Sequence, residues 1–193
     1  MILIVDCGSL KTPLIEEAVD LEMDFTTVPF WDLTRKDFKG KLGVIFSGAP
    51  ILITEIDATN YKNHVAYLKE IEIPILGICF GHQLLGLLYG AVPSKQKEDR
   101  DWQIIESIED HSLFDKLPTE FEMMEDHCES ISIPTQFKLL AASDACVNEA
   151  MCHESKPFFG VQFHPEVSGN QGTQLIQNFI EICVKYSNSN NVN

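Results

Sequence analysis

The stretch Ile75-Leu76-Gly77-Ile78-Cys79-Phe80-Gly81-His82-Gln83-Leu84-Leu85 decides the fold. An apolar run stops at a cysteine flanked by glycines, and an amphipathic helical pattern begins at once. This order predicts a buried strand, a sharp elbow and a helix. Gly77 and Gly81 leave room for a turn that a Cβ would obstruct. Cys79 would then sit at the first turn of a helix, where orphan N–H groups and the positive dipole end favour thiolate. A nucleophilic cysteine needs a base. Far downstream, Gly160-Val161-Gln162-Phe163-His164-Pro165-Glu166-Val167 reads as a second short strand carrying a histidine, with a carboxylate two residues on. Cys79, His164 and Glu166 at the ends of neighbouring strands would make a triad.

Outward from the elbow, the first half alternates strands and helices. Strands are expected at 2–6, 25–29, 42–46 and 73–78. Helices are expected at 13–22, which starts at a proline, at 57–71 with Val65 and Leu68 inward, and at 80–89. This alternation argues an α/β fold: a central, mostly parallel sheet with helices on both faces and ligands beyond the C-terminal strand ends. Cys79 and the Gly48 turn both fall at such ends. The second half reads as short strands at 103–108, 121–125, 131–133, 138–142, 146–152 and 158–163, with more antiparallel pairing. A helix over 172–186 closes the fold, its apolar face formed by Leu175, Ile176, Phe179, Ile180, Cys183 and Val184. One domain over 1–186 is expected, followed by a polar, disordered tail at 187–193.

Composition bounds the function. The chain has 193 residues, 29 acidic against 14 basic, and a formal net charge of −15. That surface repels phosphate backbones, so no nucleic-acid partner is expected. The N-terminus has only five apolar residues before Asp6, and no segment approaches about 18 consecutive apolar residues, so no membrane association and a cytoplasmic location are expected. The six cysteines are then expected as thiols. Cys146 and Cys152 are too far apart for a metal-binding pair, and no metal or cofactor is expected. A free cysteine is ordinarily a small buried hydrophobe; the glycine-flanked elbow separates Cys79 from the other five. His82 reads as a residue that packs or caps the elbow helix, and Asp6 as a turn former.

Gly77-Ile78-Cys79-Phe80-Gly81-His82-Gln83 together with His164-Pro165-Glu166 resembles the class I (triad) glutamine amidotransferases, a flavodoxin-like α/β family, over most of the chain. Glu149-Ala150-Met151 and the run Lys156 to Val167 are most similar to the glutaminase part of GMP synthetases. The resemblance implies glutamine hydrolysis. Cys79 would attack the side-chain amide, His164 would move the proton, and Glu166 would hold the imidazole. It implies an oxyanion hole from the Phe80 N–H and backbone near Gly48 and Ala49. It sets Gln83 and the main chain around Asp126 and His127 near the glutamine's amino-acid head. Ammonia would pass to a separate ATP-dependent synthetase (ATP-pyrophosphatase) subunit, because this chain carries no phosphate-binding loop of its own.

Three positions depart from the family pattern. The oxyanion turn is Ser47-Gly48-Ala49-Pro50, with alanine where a second glycine is usual. If position 49 needs φ > 0, alanine costs roughly 1 kcal/mol or more. Asp126-His127-Cys128-Glu129 replaces a Ser-His-x-Asp segment, and Arg100-Asp101-Trp102-Gln103 replaces Arg-Glu-Tyr-Gly. These departures motivate an alternative, a free-standing hydrolase of γ-glutamyl amides or peptides. A non-catalytic regulatory module of the same fold is the remaining alternative.

Overall fold

The computed structural model describes residues 1–190. Among the described residues, nine strands form one sheet in the order β2-β1-β3-β4-β11-β10-β9-β6-β7, and β5 (Pro93–Asp99) pairs with β8 (His127–Ile131) in a separate ribbon. Strands β1 (Ile2–Asp6), β2 (Phe25–Pro29), β3 (Gly43–Phe46), β4 (Ile75–Ile78) and β11 (Phe158–Val161) run parallel. Strands β10 (Ala150–His153), β9 (Phe137–Ala142), β6 (Trp102–Ser107) and β7 (Glu120–Met124) continue the sheet antiparallel. The expected mostly parallel α/β sheet with an antiparallel second half is present.

Period-two alternation within fully apolar strands explains the layers. Ile2, Ile4, Ile45, Leu76 and Ile78 face one core, shared with Ile15 and Val19 of α1 (Thr12–Asp20) and with Leu175, Ile176 and Phe179 of α4 (Gly169–Asn190). Leu3, Val5, Val44, Phe46 and Ile75 face the other, shared with Leu84, Leu85 and Leu88 of α3 (Phe80–Leu88). A strand buried on both faces has no polar side to alternate with, which is why these segments read as continuous hydrophobic runs.

Several boundaries differ from expectation. The helix expected at 57–71 breaks at Val65: α2 spans Ala58–His64, and a 3-10 turn covers Ala66–Glu70. The strand expected at 146–152 begins at Ala150, because the Ser143 hydroxyl captures the N–H groups of Ala145 and Cys146 in a turn. The strand expected at 131–133 is β8, His127–Ile131, paired with β5, Pro93–Asp99, which the pattern did not reveal. Val184 lies off the buried face of α4 and is 37% exposed. That helix continues to Asn190, so 187–190 are helical rather than a disordered tail; the rest of the expected tail, 191–193, lies outside the described residues. Among the described residues no helix is long and apolar enough to cross a membrane.

Candidate active site

The elbow forms as its glycines require. Cys79 is the N-cap of α3 and takes φ 49°, ψ −103°, a positive φ that a side chain disfavours. Such strain persists only where its surroundings enforce it. Here the Cys79 N–H donates to the Val161 carbonyl at 2.8 Å, and its carbonyl accepts from the Gln83 N–H at 3.0 Å. A Cβ on Gly77 would collide with the Gly81 carbonyl and stop 2.6 Å from the His82 nitrogen. One on Gly81 would sit 2.6 Å from the Phe46 oxygen. The two glycines let α3 start directly against β4 and β3.

His164 arrives at the end of the neighbouring strand. Its N–H donates to the Met124 carbonyl at 2.9 Å, and its carbonyl accepts from Ser168 Oγ at 2.6 Å. A 3-10 turn over Pro165–Val167 then folds Glu166 back, so that His164 Nδ1 lies 2.7 Å from Glu166 Oε1. Both side chains are buried. Burial alone pulls the His164 pKa down, but hydrogen bonding and charge from Cys79 and Glu166 outweigh it and raise the imidazole to about 10. Nδ1 donates to the carboxylate, and the other edge of the ring serves the sulfur. Burial pushes the thiols of Cys7, Cys146, Cys152 and Cys183 up, which keeps them protonated and inert.

Cys79 and His164 open onto a cavity of about 550 Å³. Its walls include Ala49, Gln83, Arg100, Asp126, His127 and Glu129, so the expected binding residues Gln83, Asp126 and His127 are brought together with the triad. Gly48 packs between the triad members: a Cβ there would lie 3.1 Å from His164 Cε1 and 3.6 Å from Cys79 Cβ. Phe80 begins α3, so its N–H is one of the donors a helix start leaves without an intrahelical partner. Ala49 is not at positive φ. The cost anticipated for alanine is therefore absent, and this departure is conformationally silent.

Asp126 is held at the rim by Lys11 Nζ at 2.5 Å and Arg100 Nε at 3.5 Å. Partial burial would raise its pKa, but these cations, with Lys11 foremost, bring it below the ordinary carboxylate value. Gln103 lies outside the cavity and donates to Asp99. His82 is fully buried against Gly160, where burial lowers its pKa to about 3, a neutral packing residue as expected. Asp6 is a turn former: its Oδ1 accepts from Gly8 N and Thr12 Oγ1.

Three features carry too little sequence signal to have been expected. Gln162, fully buried, donates to Cys79 Sγ at 3.6 Å and accepts from Gln83 Nε2, which also donates to the Glu129 carbonyl. The available signal was its alternation with Phe163 just before His164. The turn Gly8 to Lys11 after β1 also lines the cavity, as its place at a strand's C-terminal end could have suggested. Among the described residues, Glu125, His127 and Glu149 bring potential metal-ligand atoms within 4.8 Å of one another. Burial raises Glu125 to about 8 and Glu149 to about 9.

The model of the family "Glutamine amidotransferase class-I" matches residues 3–183. The chain is 41% identical over 146 residues to a glutamine-hydrolyzing GMP synthase subunit of Archaeoglobus fulgidus, covering 74% of this chain and 76% of that one. It is 38% identical over 193 residues to the protein of the same description from Methanosarcina barkeri, covering 96% and 97%. A crystal structure of a candidate GMP synthase subunit from Thermoplasma acidophilum superposes with a TM-score of 0.90 at 30% identity, over 98% of this chain and 96% of that one. With a nucleophile elbow, a facing His-x-Glu pair and a match over nearly its whole length, this chain belongs to the class I glutamine amidotransferase family.

Proposed function

We propose that this protein hydrolyses the side-chain amide of glutamine and supplies the ammonia to a separate synthetase of the GMP synthase type. The observation that carries the reading is the buried Cys79, His164 and Glu166 constellation opening onto a cavity of about 550 Å³. The Cys79 sulfur attacks the amide carbon, and charge builds on the carbonyl oxygen. The N–H groups of Phe80 and of the Gly48-Ala49 turn stabilise that oxyanion. The C–N bond breaks as the His164 imidazolium gives its proton to departing ammonia. A water molecule, deprotonated by His164, then attacks the γ-glutamyl thioester, releasing glutamate and restoring the thiol. Glu166 keeps Nδ1–H oriented throughout.

Gln83 acts through Gln162, whose amide it orients toward Cys79. The backbone around Asp126 and His127 takes the amino-acid head of glutamine, and Lys11 and Arg100 offset the Asp126 charge there. The partner is an ATP-pyrophosphatase that activates the acceptor. With Ala49 conformationally ordinary, one motive for a free-standing γ-glutamyl hydrolase is removed.

The test is glutamate and ammonia release from glutamine, measured with and without an ATP-dependent GMP synthase partner supplied with its nucleotide acceptor. Weak activity alone and stronger, acceptor-coupled activity with the partner are expected. Preferential cleavage of γ-glutamyl amides other than glutamine, unaffected by the partner, would overturn the reading.

A further inference from the structure

The wall of the cavity hides a second cluster that the triad chemistry does not use. Glu125 follows β7, His127 opens β8, and Glu149 precedes β10. The side chains of Glu125 and His127 are 0% and 3% exposed, and Glu149 is fully buried. Carboxylates are almost never fully buried unless paired, yet no Lys or Arg ion pair reaches either glutamate among the described residues. With both acids ionised, neither Glu125 oxygen, nor Glu149 Oε2, nor His127 Nε2 is met by a donor, and the two carboxyls lie within hydrogen-bonding reach of each other; Glu149 Oε1 accepts from Ser143 Oγ at 2.6 Å.

The histidine gives the cluster its direction. His127 Nδ1 lies 3.0 Å from the Glu129 carbonyl oxygen, an acceptor only, so Nδ1 carries the hydrogen. In the neutral ring Nε2 therefore bears a lone pair, and it faces Glu125 Oε2 at 3.2 Å. A lone pair aimed at a carboxylate oxygen in a dry interior is repulsive unless a proton on the acid or a metal cation lies between the two. Nδ1–H donating to a backbone carbonyl with Nε2 turned inward is how proteins orient a metal-binding imidazole. Two ligand atoms on one tetrahedral zinc, each at about 2.0–2.1 Å, sit about 3.3 Å apart. The Nε2 to Oε2 separation already matches.

We propose that Glu125, His127 and Glu149 form a buried site for a divalent transition-metal ion of borderline softness, with Zn²⁺ or Co²⁺ as probe. One imidazole and two carboxylates suit zinc-type ions better than calcium or magnesium, which take more oxygen ligands and more water. The ion ties the β7–β8 connection to the segment before β10. It thereby stiffens the cavity wall that carries His127, and it takes no part in the thiol chemistry.

The test is equilibrium binding of Zn²⁺ to the full chain stripped of metal, with metal content after gel filtration and the absorption spectrum of the Co²⁺ form. One equivalent is expected. The Co²⁺ spectrum should show visible d–d bands without an ultraviolet thiolate charge-transfer band. Glu125→Gln and Glu149→Gln should each weaken binding by more than the roughly 10–100-fold that an outer-shell contact is worth. Cys79→Ser should bind as the wild type does. Thermal unfolding of the metal-free variants checks that they fold. Absence of binding, a thiolate band, or equal binding by wild type and both glutamine variants would overturn the proposal, leaving the cluster as carboxyls that share protons. None of these outcomes bears on glutamine hydrolysis, which is assayed separately.

Discussion

His164 Nδ1 and Glu166 Oε1 meet at 2.7 Å although only Pro165 separates the two residues. The 3-10 turn at Pro165–Val167 makes this possible, and Ser168 secures it by bonding back to the His164 carbonyl. The acid of the proposed triad thus sits in the same turn as its base. We predict that Glu166→Gln lowers glutamine turnover by roughly 10²–10⁴-fold, the range of a lost acid–base function. The KM should change little. A change confined to KM would count against an orienting role.

The protonation of His164 gives a pH signature. Its folded pKa, about 10, exceeds the ordinary 6.5, so the folded state binds the proton more tightly than the unfolded state. The resulting stability is fully present below about 6.5 and is lost as pH rises through about 10. Guanidinium unfolding across that window should show wild type losing stability relative to Cys79→Ala, which lacks the sulfur that helps hold the proton. Imidazole NMR should show the His164 midpoint falling in that variant. A wild-type midpoint at or below 6.5 would contradict this.

Gly48 and Ala49 should respond in opposite ways. A methyl at position 48 would press on His164 Cε1 at 3.1 Å. Gly48→Ala should therefore displace the imidazole by a few tenths of an ångström and cost about tenfold or more in kcat. Ala49→Gly should leave turnover intact and lower stability by about 0.4–1 kcal/mol through the entropy of the unfolded chain. Steady-state kinetics with denaturant midpoints separate the two.

The elbow stores strain at Cys79. Comparing two inactive variants isolates it: Cys79→Gly relieves the positive φ that Cys79→Ala retains. Glycine should be the more stable despite its greater unfolded-state freedom, by about 1 kcal/mol, since such strain costs on the order of 1–3 kcal/mol. Equal midpoints would mean that the elbow is unstrained.

Legibility followed burial and period. The parallel core was readable because Ile2–Val5, Gly43–Phe46 and Ile75–Ile78 are apolar on both faces. The meeting of Cys79, His164 and Glu166 was readable because a glycine-flanked cysteine and a His-Pro-Glu turn have few structural reasons to exist. Pro93–Asp99 was not, because an edge ribbon of Lys, Gln and Glu carries no buried face to betray it. Glu125 and Glu149 were invisible for a related reason: acidic residues read as solvated charge until coordinates show them sealed inside. The break at Val65 was hidden because Leu68 stays inward in either helix type.

Covalent trapping bears most directly on the proposal that Cys79, alone among six cysteines, does the chemistry. Intact-mass and peptide analysis after treatment with a glutamine-analogue electrophile should give a single adduct on Cys79, slowed by glutamine and formed in step with loss of glutamate release. His164→Ala should react far more slowly. Labelling of another cysteine as activity disappears, or undiminished glutamate release by Cys79→Ala, would contradict it.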